Sequence, residues 1–140
     1  MTNRFLSPQF IRFAGVGAAG FFVDWGLLVL AMSQLGMGYY LGRVVSFLGA
    51  ATFTWAVNRT FTFKPSKDRS AFSEWRRFVM VMVVGGLVNY GVYAALIYWS
   101  ETARAWPVIG IAAGSLAGLV FNYSGAKKLV FGGSQRSATD

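Results

Sequence analysis

Asn58-Arg59-Thr60-Phe61-Thr62-Phe63-Lys64-Pro65, followed by Lys67, Asp68, Arg69, Glu74 and Arg76-Arg77, is a basic stretch near the middle of an otherwise apolar chain. Most of the formal charge falls within it or at the two termini. A basic centre between nearly uncharged arms reads as a loop at a membrane surface, with both arms in lipid. The composition agrees. Of 140 residues, 55% are hydrophobic and 13% charged, too little polar sequence to cover a soluble domain of this size.

The net charge of +8 raises nucleic acid as a partner. Nucleic-acid modules spread Lys and Arg over a helix face or sheet, whereas here they sit between and beside apolar runs, so no nucleic-acid partner is expected. The chain has no Cys and no His. That excludes thiolate and imidazole metal ligands, disulfides, and Ser-His or Cys-His nucleophile pairs. The N-terminus does not read as a cleaved signal peptide, because its apolar run is too long, lacks a clear cleavage site and precedes three more.

Outward from the basic stretch lie four apolar runs, at about 13–35, 41–57, 78–99 and 108–123. Each is near the ~20 residues a tilted helix needs to cross a bilayer, and backbone groups in lipid must be satisfied within the segment. None alternates in polarity as a barrel strand does. Ser7-Pro8 reads as the first helix start, a capping oxygen before a proline at the first helical position. Gln34 to Gly38 makes a short turn; Glu101, Arg104 and Pro107 bound a later connection. The expected fold is an all-α membrane protein with four transmembrane helices. A cytoplasmic tail (1–9) precedes a transmembrane domain (10–132), and a disordered tail (133–140) ends it.

Arg4, Arg12, Arg59, Lys64, Lys67, Arg69, Arg76, Arg77, Lys127, Lys128 and Arg136 fall on one side of this topology, and Arg43 and Arg104 near the other. The positive-inside rule then puts both termini and the central loop in the cytoplasm. Tyr39, Tyr40, Tyr98, Trp99 and Trp106 are the expected outer aromatic belt, and Phe61, Phe63, Phe72, Trp75 and Phe131 the inner one.

The two halves align with each other. An offset of 65 places Phe10, Arg12, Phe13, Val16, Gly20, Val23, Asp24 and Gly26 on Trp75, Arg77, Phe78, Val81, Gly85, Val88, Asn89 and Gly91. An offset of 68 places Gly42, Ser46, Ala50, Arg59 and Phe63 on Gly110, Gly114, Gly118, Lys127 and Phe131. Two-helix units that both start in the cytoplasm form a parallel repeat about an axis near the membrane normal. The ridges Gly42-Ser46-Ala50 and Gly110-Gly114-Gly118 permit close helix approach. Packing within the bundle is the preferred reading, a homodimer face the other.

Asp24 lies roughly 18 Å along the helix from Arg12, and Arg43 roughly 22 Å from Asn58, so both occupy the outer half of the bilayer. Ionisable groups there cost about 2.5–3.5 kcal/mol on insertion scales and face a partner or a wet cavity. The expectation is that Asp24 and Arg43 form an ion pair or together line a polar cavity. Architectural pairing of Asp24 and snorkelling of Arg43 stand beside it. Asn89 sits at the level of Asp24 in the second half, while Ile111 stands where the first half has Arg43. Arg12, Asn58, Arg59, Arg77, Asn122, Lys127 and Lys128 would form a polar, cationic ring at headgroup level, suited to a phosphate and anionic lipids. Singly, each cation reads as an ordinary positive-inside anchor. No phosphate loop is present, and no two acids are placed to work together. Neither catalysis nor a cofactor or metal is expected.

Arg12-Phe13-Ala14-Gly15-Val16-Gly17 with Asp24, Asn58 to Phe63, Arg77-Phe78, and Asn122 to Phe131 together resemble the GtrA-like family of small four-helix membrane proteins. The resemblance spans about 10–132, and departs at Lys127-Lys128-Leu129-Val130-Phe131, where an Asn-Arg like that of the first half belongs. It implies translocation of a polyprenyl-phosphate-linked monosaccharide across the cell (inner) membrane for envelope polysaccharide or O-antigen. In that role the cytoplasmic cations hold the phosphate and Asn89, Asp24 and Arg43 pass the sugar. It also implies an association with a membrane glycosyltransferase. Two alternatives are a non-catalytic subunit that recruits or stabilises such an enzyme, and a small proton-coupled exporter, which the basic loop disfavours. A homodimer is expected, because one protomer is small for enclosing a lipid headgroup.

Overall fold

The structure, a computed structural model, describes residues 7–65 and 67–132. Arg4, Arg136, most of the 1–9 tail and the 133–140 tail lie outside the described residues, as do the side chains of Tyr39 and Tyr40. The regular structure among the described residues is all helical, with no strand.

Helix α1 (Pro8–Ser33) starts where Ser7-Pro8 predicts: Ser7 Oγ accepts the Phe10 N–H, and Pro8 takes the first turn. It ends at Ser33, and the chain turns away at Gly36, whose φ of +62° lets the Met37 N–H reach back to the Ala31 carbonyl, a backbone bend glycine makes without a Cβ clash. Helix α2 (Tyr39–Val57) runs directly into a π-turn, Asn58–Thr62. Helix α3 (Ala71–Trp99) is capped by Ser70 Oγ on the Ser73 N–H. A short α4 (Glu101–Ala105) is capped by Ser100, and α5 (Pro107–Gly125) runs into a second π-turn, Ala126–Val130.

The central basic stretch is therefore mostly helix. Asn58 to Thr62 extends α2, and Ala71 to Arg77 opens α3, leaving only 63–70 as the connection. Charge density made the segment read as loop, but a capping serine with Glu74 in the first turn is a helix start.

Pro8–Ser33, Ala71–Trp99 and Ile109–Val130 are long and apolar enough to cross a membrane. Helix α2 is shorter at 19 residues, roughly 28 Å of helix, and carries Arg43. Phe21, Phe22, Trp25, Leu87 and Trp99 are exposed, the surface of a chain whose solvent on that side is lipid.

Helix α1 packs along α2, and α3 along α5, as two hairpins. The small-residue ridges lie inside these hairpins. Gly42 faces Leu28 and Met32 of α1, Gly114 faces Asn89 of α3, and Ser46 is fully buried. Each hairpin ends in a π-turn, and the two π-turns begin at Asn58 and Ala126, in register with the offset of 68. In each, a phenylalanine N–H reaches five residues back, Phe63 to Asn58 (2.7 Å) and Phe131 to Ala126 (3.0 Å).

The π-turns fold their phenylalanines inward. Phe63 and Phe131, expected in the inner aromatic belt, are instead buried and stacked on each other with centroids 4.7 Å apart. Phe13, Phe78, Val81, Tyr123, Ala126 and Val130 complete the core they share. Gln9 Nε2 donates to the Thr62 carbonyl, and Tyr123 Oη to Gln9 Oε1, tying the first hairpin to the second at this end. Of the other belt residues, Phe61, Phe72, Tyr98, Trp99 and Trp106 are exposed, while the Trp75 Nε1–H donates to Thr52 Oγ1.

Candidate functional site

Beyond that aromatic core the hairpins leave a crevice of about 490 Å³ between them. The wall is built mainly from glycine and alanine: Ala14, Gly17, Ala18 and Gly20 from α1, Ala50 and Ala51 from α2, Gly85 and Gly86 from α3, Gly118 from α5. Residues this small on facing helices keep space open where larger side chains would fill it. Five polar side chains reach the space: Asp24, Thr54, Asn89, Ser115 and Asn122.

Asp24 and Arg43 meet. Arg43 Nη1 lies 2.6 Å from both carboxylate oxygens, and also 3.5 Å from the buried Ser46 hydroxyl. Asp24 is largely covered, its side chain 17% exposed, while that of Arg43 is 56% exposed. The pair thus spans from the crevice wall to the outer surface of the first hairpin. In the second hairpin Asn89 takes the place of Asp24, against Gly114 and Gly118, with no paired cation among the described residues.

Asn122, expected in the cytoplasmic ring, belongs to the crevice. Helix α5 continues to Gly125, so Asn122 still points across the hairpin at Gly85, where a side chain would overlap its amide. The Asn122 Oδ1 is buried with no hydrogen-bond partner among the described residues. An unpartnered buried acceptor is costly, about 1–3 kcal/mol, and is the kind of exception that points to a ligand or solvent contact. Thr54 holds the matching position in the first hairpin, packed on Gly20, with its hydroxyl turned to the Ala51 carbonyl.

The remaining ring residues do not form one site. Asn58 is buried, and its Oδ1 accepts the Thr62 hydroxyl at 2.7 Å inside its own π-turn. Arg59 donates through Nε to Glu74 Oε1 at 2.8 Å; the Glu74 side chain is wholly buried and also accepts the Trp55 Nε1–H. Arg12 lies over the Phe61 ring and Lys127 over Tyr123, at 5.4 and 5.7 Å. Lys128 is exposed, and Arg77 lines a separate groove beside Arg76. Arg69 bridges the connection to the second π-turn, donating to the Leu129 and Val130 carbonyls, and Arg104 likewise closes α3 on the Ile97 and Tyr98 carbonyls.

Sequence reasoning missed the part played by Glu74, and it set Asn122 in the headgroup ring rather than in the crevice. The signal for Glu74 was a lone acid four residues after a serine in a basic run, the start of a helix. For Asn122 it was the alignment with Thr54, a position already facing Gly20.

The family model described as the GtrA/DPMS transmembrane domain matches residues 12–131. A bactoprenol-linked glucose translocase of Shigella flexneri is 25% identical over 130 residues, covering 92% of this chain and 96% of the relative.

Proposed function

Because the chain belongs to the GtrA/DPMS transmembrane family, we propose that it moves a polyprenyl-phosphate-linked monosaccharide across the membrane, the sugar passing through the crevice between the hairpins. The observation that carries this reading is the crevice itself, polar at five side chains within an apolar bundle. Asn122, which lines it, carries a buried amide acceptor, Oδ1, with no hydrogen-bond partner among the described residues. Sugar hydroxyls are donors and acceptors, and Asn89, Ser115, Asn122 and the Asp24–Arg43 pair offer both kinds of partner. The named activity of the Shigella relative, translocation of bactoprenol-linked glucose, supports the same substrate class. The volume of about 490 Å³ falls in the range of small-molecule sites, so one protomer has room for a sugar, and size ceases to be a reason for a homodimer.

In this reading α2 is a fourth span, the hairpins are parallel repeats, and both termini and the aromatic core lie on the cytoplasmic side of the inner membrane. The domain is 10–132, α1 starting just before it. The lipid tail stays outside the bundle while Asp24, neutralised by Arg43, presents a polar wall without a net buried charge. The chain does no covalent chemistry on the sugar.

The test is movement of a labelled polyprenyl-phosphate sugar in liposomes holding the purified protein. Wild type is expected to expose the label to the opposite face, and the Asp24→Ala, Arg43→Ala double variant to do so at least about tenfold more slowly. Equal rates remove the crevice pair from the path. No movement by wild type, with a membrane glycosyltransferase that loses activity in its absence, assigns the chain instead to a non-catalytic subunit.

A further inference from the structure

We infer that the groove between α3 and the second π-turn is the binding site for the phosphate of a single-chain isoprenyl lipid. This groove, of about 390 Å³, is lined by Arg76, Arg77, Met80, Val81 and Leu129. Both arginines are exposed near the start of α3, and neither pairs with a carboxylate among the described residues. A guanidinium holds phosphate oxygens in two parallel N–H···O bonds, and a second one beside it adds charge at the same place. Met80, Val81 and Leu129 carry the groove onward as an apolar wall. A cationic mouth on an apolar wall fits an amphiphile with one phosphate and one chain. A soluble phosphate would leave the wall wet.

The first hairpin supplies the comparison. The offsets of 65 and 68 set Ile11, Arg12, Gly15 and Val16 against Arg76, Arg77, Met80 and Val81, and Phe61 against Leu129. There the Arg12 guanidinium already lies over the Phe61 ring, and an isoleucine stands in place of the second arginine. In the second hairpin Leu129 offers no aromatic face, Arg77 lies over no ring among the described residues, and Arg76 doubles the charge. Of two positions made equivalent by the sequence alignment, only the second is doubly cationic with its arginines uncommitted. The phosphate therefore binds on the α3 side, next to the crevice that α3 also lines.

The isoprenyl identity of the chain rests on the translocation reading; the phosphate chemistry rests on the groove alone. The test is equilibrium binding to the purified full chain in detergent, followed by native mass spectrometry, with farnesyl phosphate as probe. Farnesol, inorganic phosphate and phosphatidylglycerol serve as competitors. Farnesyl phosphate is expected to bind, and each competitor to be weaker by about tenfold or more. The Arg76→Gln, Arg77→Gln double variant and Leu129→Phe, which imports the ring of the first hairpin, are expected to weaken binding by a similar factor. The Ile11→Arg, Phe61→Leu variant is expected to gain a second bound equivalent. Ile11, Phe61, Arg76, Arg77 and Leu129 are all exposed, and thermal unfolding confirms that each variant is folded.

Wild-type affinity in the arginine and Leu129→Phe variants would overturn the site. Equal competition by phosphatidylglycerol would make it a general anionic-lipid surface, and equal competition by inorganic phosphate would remove the role of the apolar wall; either result overturns the proposal. Binding without movement in liposomes rejects transport and keeps the groove. Movement unaffected by the groove variants, together with unchanged binding, rejects the groove and keeps transport.

Discussion

Replacing Arg59 by alanine removes the cation held 2.8 Å from a carboxylate with no exposed surface. Breaking a buried pair from one side costs about 3–5 kcal/mol, because the surviving charge is left in a medium of low dielectric. Two features place this case at the low end, about 3 kcal/mol. The Arg59 side chain is 30% exposed, so part of the attraction is already screened, and the Trp55 Nε1–H still reaches Glu74. Glu74→Gln keeps the shape and an acceptor while exchanging charge-assisted bonds for neutral ones, about 1–2 kcal/mol. Combining Arg59→Ala with Glu74→Gln should cost less than the sum of the two by about 1 kcal/mol or more, since the buried group is then neutral. Thermal unfolding in detergent, followed by tryptophan fluorescence with Trp55 as a local reporter, gives the three values. The reasoning fails if Arg59→Ala melts with the wild type, or if the double variant is strictly additive. Either result would return Arg59 to the pool of cations available to a lipid phosphate.

Other outcomes follow from the same geometry. Charge reversal of Asp24 or Arg43 alone should lower folded yield, by up to about 2.5–3.5 kcal/mol of insertion cost, and the swap Asp24→Arg with Arg43→Asp should recover at least half; no recovery would deny the pair. Gly114→Ala puts a methyl 2.5 Å from the Asn89 carbonyl oxygen and should cost about 1–3 kcal/mol by forcing α3 and α5 apart, whereas Gly15→Ala meets nothing within 4 Å and should melt no lower than wild type. Arg69→Ala releases the Leu129 and Val130 carbonyls and should cost about 1 kcal/mol, read as faster hydrogen exchange in the second π-turn only.

Much of this architecture is legible in the sequence because lipid makes the rules few. Long apolar runs must be helices, and Ser7-Pro8 marks the start of α1 by the chemistry of a cap. Two π-turns begin 68 residues apart, at Asn58 and Ala126. What the sequence hides is where polar residues go once the backbone departs from α-geometry. A π-turn is set by one extra residue in the hydrogen-bond ring, and no composition rule announces it; hence Phe63 and Phe131 read as interfacial yet form the core. The basic stretch conceals the buried Glu74 for a related reason, since one acid among many cations looks like a solvated surface until the start of α3 turns it inward. Asp24 and Arg43 are readable as unusual from their depth alone, but their contact depends on how α1 and α2 rotate, which follows from Gly42 against Leu28 and Met32.

Gly17 and Gly86 both line the crevice, and a Cβ at either would meet nothing within 4 Å. Leucine at either position starts from open space and extends into the proposed path between the hairpins. Liposomes containing wild type, Gly17→Leu or Gly86→Leu, loaded with the labelled lipid-linked sugar, compare transport with and without that obstruction. Wild type should move the sugar headgroup and both leucine variants, melting as wild type does, should fail to. Undiminished movement in the leucine variants would contradict a route between the hairpins.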